Sequence, residues 1–179
     1  MNKIIVEQDE VFLQEESVFF TSVPTRLVLH VKGNVCLALS SITNLEVYLE
    51  KGSHLLFEIF GVIKNQNSKI IFHNEDDVVL DFHLSCWYEG ENTLEVKSVV
   101  DHRNVRNYIH IRSVEKEGSI LIKATGEILE NTKDTLYLED IGSLTTHQER
   151  VKILPDLLVS SADAICNHNA TISNVDRAE

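Results

Sequence analysis

Val78-Val79-Leu80-Asp81-Phe82-His83-Leu84 alternates apolar and polar residues with a period of two. Successive side chains of an extended chain point to opposite faces, so such a run is a half-buried β-strand. Four other stretches repeat the pattern: Leu45 to Glu50, Tyr108 to Arg112, Ser119 to Ala124 and Thr135 to Glu139. Val, Ile, Leu, Phe and Tyr supply their apolar positions, as strands favour. Polar corners separate them: Lys51-Gly52-Ser53, Lys64 to Asn67, His73 to Asp77, Glu89 to Asn92, Glu115 to Gly118 and Asn131 to Asp134. Gly and Asn tolerate left-handed backbone there, and Asp and Asn bond their own backbone. Turns recur roughly every 10–12 residues, the interval of a sandwich, barrel or solenoid. Only Thr146 to Leu154 has a helical composition, and a helix is expected there.

No strict repeat is present, but strand, polar corner, strand recurs in Leu45 to Phe57 and again in Ile70 to Leu80. Each such unit has an apolar face it cannot bury alone, so stacking is its natural solution. No Pro- or Gly-rich linker divides the 179 residues. One all-β domain over residues 1–179 is expected, with Met1 to about Val23 as its first layer and Pro155 to Glu179 as its last rung and C-terminus.

The hydrophobic fraction of 43% supports a real core, and the net charge of −12 argues against nucleic-acid partners, which need clustered Lys and Arg. An anionic membrane surface is disfavoured for the same reason. No apolar run is long enough to span a bilayer, and Met1 to Glu10 lacks the features of a secretory signal. A cytoplasmic protein is expected. Cys36, Cys86 and Cys166 are odd in number and far apart, which fits reduced thiols.

Enzyme motifs are missing: there is no G-x-G-x-x-G, no P-loop and no G-x-S-x-G. Asp101-His102 and the run to Arg112, with Arg103 and Arg106, read as a solvated strand face that could meet an anion or carboxylate. His83-x-x-Cys86 places its members on opposite faces of a strand. Trp87 and Tyr88 are packing residues or a surface patch. Cys166-Asn167-His168 puts a thiol and an imidazole on one face. By spacing alone this is half a metal site, because zinc and iron sites take three or four such ligands. A buried Cys beside a hydrogen-bonded His is the simpler reading.

Longer stretches carry a resemblance. Glu89 to Val96, Asn107 to Val114 with Gly118-Ser119-Ile120, Gly126-Glu127-Ile128 and Thr146-His147-Gln148 occur in that order. Pro155, Leu157, Val159, Ala162-Asp163, Cys166 and His168-Asn169-Ala170-Thr171 follow. From Ser68 to Glu127, and again from Pro155 to Asp176, the chain resembles the SufB/SufD family, scaffold proteins of the SUF iron–sulfur cluster assembly system. The resemblance implies a right-handed parallel β-helix that pairs with a SufB-like chain or with itself as a dimer. It implies a non-enzymatic scaffold role, with a transient iron–sulfur cluster at the subunit interface and His168 and Cys166 as an interface half-site for metal. The likeness is to SufD, because no Cys falls between Gln148 and Pro155. Asn169 departs from the Gly or Glu usual after the His. The helical C-terminal segment that binds the SufC-like ATPase is not seen here, which weakens the expectation of ATPase docking. A β-solenoid interaction module that has lost the cluster chemistry is the alternative.

Overall fold

In the computed structural model the chain is a parallel β-solenoid, described over residues 2–175. Met1 and Asp176 to Glu179, which the sequence assigns to the first layer and last rung, lie outside the described residues. Among the described residues, thirteen strands form one continuous hydrogen-bonded sheet wound into coils, and every strand pairing is parallel.

One wall stacks β1 (Asn2–Ile5), β3 (Ser17–Ser22), β5 (Asn34–Leu39), β7 (His54–Lys64) and the first half of β9 (Val79–Val100). The first half of β10 (Arg106–Ile128), β11 (Thr135–Thr145) and β13 (Ala164–Asn174) continue it. The opposite wall stacks β2 (Glu10–Gln14), β4 (Arg26–Lys32), β6 (Asn44–Leu49), β8 (Asn67–Asn74), the second halves of β9 and β10, and β12 (Val151–Val159). The first wall widens along the chain, from four residues in β1 to eleven in β13.

Parallel pairing in register lines up the inward side chains in rows that run the length of the molecule. One row reads Val18, Leu37, Phe57, Phe82, Ile109. All five are at most 1% exposed. Each such side chain contributes about 1.5–3 kcal/mol by leaving water. Phe57, Phe72 and Phe82 meet across the interior with ring centroids 5.0–6.3 Å apart.

The corners carry polar stacks that satisfy backbone groups where the chain turns. Asn92 accepts from Gln66 N and donates to the carbonyls of Glu89 and Gly90. At the other edge, Asn74 and Asn107 both donate to Ser98 Oγ, at 3.0 and 2.7 Å.

Two expectations change. Thr146 to Leu154 is not a helix: a single 3₁₀ turn, Gln148–Arg150, leads into β12. Ile120 and Ile122 of β10 offer pairing and packing to Val151 and Ile153, and that burial outweighs the local composition. The corners at Glu89 to Asn92 and Glu115 to Gly118 do not interrupt strands either. The chain bends through them from one wall to the other, with Gly90 at φ 70° and Gly118 at φ 119°.

Candidate functional site

Cys166 and His168 lie on β13, the last strand of the first wall, and both continue inward rows. Cys166 follows Leu55, Leu80, Asn107 and Tyr137. His168 follows Phe57, Phe82, Ile109 and Glu139. The expected common face is therefore present. His168 is exposed and Cys166 half-buried, because no further coil among the described residues covers them.

Beneath them the interior turns polar. Glu139, only 3% exposed, takes a position that is hydrocarbon in the preceding coils. The Tyr137 hydroxyl donates to Glu139 Oε2 at 2.7 Å, and Glu139 Oε1 is buried with no partner. Burial pushes the Glu139 carboxyl above the ordinary range, against the opposing pull of Tyr137 and His168. Burial likewise raises the Cys166 thiol. A metal at this sulfur would have to displace the thiol proton.

The sequence did not single out Glu139. Thr135 to Glu139 alternates, but here the polar face is the inner one: Thr135, Tyr137 and Glu139 are buried, while Leu136 and Leu138 are half-buried outside. The available signal was phase. Ile141 and Ser143 continue the Tyr137–Glu139 face, and all four point inward.

The two terminal strands present different edges. Ser160 N donates to Ile128 O at 2.9 Å. Alternate N–H groups of β12 therefore face β10, and Pro155, five residues earlier, falls on the outward set. Its missing N–H removes a donor from the open edge. β12 also carries Lys152 and Asp156, the charges with which natural sheets blunt such edges. On β13, Val175 N donates to Thr145 O at 2.9 Å. The N–H groups of Cys166, His168, Ala170 and Ile172 accordingly face away from the sheet. β13 contains no Pro, Asp, Glu, Lys or Arg over eleven residues, and its Ile165 is 71% exposed.

The remaining sequence candidates separate. His83 points outward and Cys86 inward, and burial pushes the Cys86 thiol up to about 12. Trp87 is 52% exposed, whereas Tyr88 is fully buried. Arg106 pairs with Asp134 at 2.8 Å, Arg112 with Asp140, and Arg103 with Asp76 at 3.7 Å. The carboxylate partners of this basic strand thus come from neighbouring coils.

On the outer face of the first wall, in-register pairing sets His110 beside His83, with rings stacked at 4.7 Å. Asp81, two residues before His83, holds its Nε2 at 2.9 Å. Among the described residues, these are the three whose donor atoms all lie within 4.8 Å of one another; Cys166 and His168 gather no such third donor. Burial, then the neighbouring His83, lowers the pKa of His110.

No helix among the described residues is long and apolar enough to cross a membrane. No protein-family model, no curated protein and no solved structure matches the chain.

Proposed function

We propose that this chain is a SufD-like accessory or scaffold component of iron–sulfur cluster assembly. It joins a SufB-like chain, or a second copy of itself, through the free edge of β13. Cys166 and His168 then stand at the junction as part of a ligand set that the partner completes, and the cluster is cargo rather than a resident group. The chain acts by holding and positioning, not by catalysis.

One observation carries the reading: the strand that bears both residues is an uncharged, proline-free parallel edge, whereas the adjacent β12 edge is blunted. Such an edge is a template for a strand from another chain. A soft thiolate and an imidazole are ligand types that iron–sulfur centres accept. Glu139, with one unpartnered oxygen, lies below His168 on the same row, but the remaining ligands have to come from the partner.

Anaerobic reconstitution with iron and sulfide, alone and with a SufB-like chain, tests it. His168→Ala should lower the cluster absorbance formed with the partner while leaving the β-rich circular dichroism unchanged. Cluster build-up that ignores both His168 and Cys166 would remove the chemical part of the proposal. That outcome is what the second reading expects, a β-solenoid interaction module without cluster chemistry. Asn169, in place of the Gly or Glu usual after the His in the SufB/SufD family, favours this second reading.

A further inference from the structure

We propose that Asp81, His83 and His110 form a binding site for a first-row divalent transition metal, with zinc(II) as the reference ion. The site lies on the outer face of the first wall, apart from β13 and unrelated to the pairing reading above.

Three features of the fold build it. Period two on β9 sets Asp81 and His83 on one face, two residues apart. The parallel register of β9 and β10 sets His110 directly beside His83. Stacking of the two imidazoles at 4.7 Å and 16° aligns their ring edges along one side of the pair. The donor atoms already lie within 4.8 Å of one another. Bonds of about 2.0–2.1 Å to a tetrahedral ion require them roughly 3.3 Å apart. Asp81 Oδ1 and His83 Nε2 already stand 2.9 Å apart, so side-chain rotation at this surface, where the two are 38% and 45% exposed, has only to draw them and His110 onto one ion.

The chemistry of the donors selects the ion. Two imidazoles and one carboxylate suit zinc, nickel, copper or iron(II); calcium and magnesium prefer all-oxygen sets. Three protein ligands on a solvent-facing surface leave a coordination position for water or an outside ligand. Glu58 stands next to His83 in the same row, and Asp140 stands next to His110. Carboxylates in those places can take the second ring N–H of each metal-bound imidazole and fix its orientation. Without an ion, the Asp81–His83 hydrogen bond occupies the place the metal would take.

Zinc(II) titration by calorimetry on the tag-free full chain, previously stripped with chelator, reads this site directly. One ion per chain is expected. Loss of an outer-shell partner alone costs about 10–100-fold, so removing a ligand, by His83→Ala or by His110→Ala, should weaken binding by about 100-fold or more. The Cys166→Ser, His168→Ala double variant should bind as the parent does. Cobalt(II) substitution gives a second readout: its spectrum should lack a thiolate-to-metal charge-transfer band. Absence of binding overturns the proposal, as does binding that survives the His83 and His110 changes or is lost in the Cys166, His168 double variant. None of these outcomes bears on cluster build-up with a partner, so the two proposals fail separately.

Discussion

Glu139 holds a place in its row where Phe57, Phe82 and Ile109 hold theirs, and among the described residues it is the one acidic residue fully buried in the core. A carboxylate there works against stability. Its folded pKa is raised above the ordinary 4.5, so between the two values the unfolded chain has released a proton that the folded chain keeps. The unfolded state then binds fewer protons, and stability falls as pH rises through that window. Glu139→Gln should therefore raise the melting temperature, by a gain that grows as pH rises above the ordinary carboxylate range and levels off once the folded carboxyl has ionised. Asp140 has the opposite sign, because Arg112 holds its carboxyl low; it supports the fold at neutral pH and loses that support in acid. A gain from Glu139→Gln that is flat with pH would refute the burial argument. At this scale the sequence displayed Cys166 and His168, whose separation of two residues needs only strand geometry. It could not display Glu139 below His168 or His110 beside His83. Those neighbours lie a whole coil apart, at distances fixed by register rather than by any local pattern.

The corners show how an element can be misjudged from composition alone. Glu89 to Asn92 and Glu115 to Gly118 have the residues of turns, yet β9 and β10 run through them. Stacking supplies the reason: Gly118 lies directly over Gly90, and the coils bend together in register. The contact is tight, since a Cβ on Gly118 would meet Gly90 O at 2.2 Å, at a φ of 119° that other residues rarely adopt. Gly118→Ala should cost about 3 kcal/mol, seen as a lower denaturant midpoint with an unchanged slope. A neutral outcome would mean that the two corners are not in contact. At Thr146 to Leu154 the polar composition misled for a different reason. Glu115 accepts hydrogen bonds from Thr145 Oγ1, Thr146 N and Thr146 Oγ1, and these tie the chain back to the preceding corner before it enters β12.

Over the whole molecule, each coil touches only its neighbours, so unfolding should begin at the ends and spread inward. Hydrogen exchange should find the slowest amides in β9 and the first half of β10, which are covered on both sides, and faster exchange in β1 and β13. Uniform protection along the chain would contradict this. The all-β class was readable from the alternation, which left sandwich, barrel and solenoid open; the parallel β-helix was expected only from the family resemblance. The repeat itself was hidden because coil length changes: Asn2 stands beside Val18, sixteen residues on, whereas Glu139 stands beside His168, twenty-nine on. That lengthening has a consequence for assembly. Copies of this chain placed head to tail would set the four-residue β1 against the eleven-residue β13, leaving most of the longer strand unmatched. A two-fold arrangement that brings β13 onto its own counterpart matches in length and uses up both free edges at once. Taper thus makes open head-to-tail growth a mismatch in strand length, and a two-fold pairing of β13 edges a match.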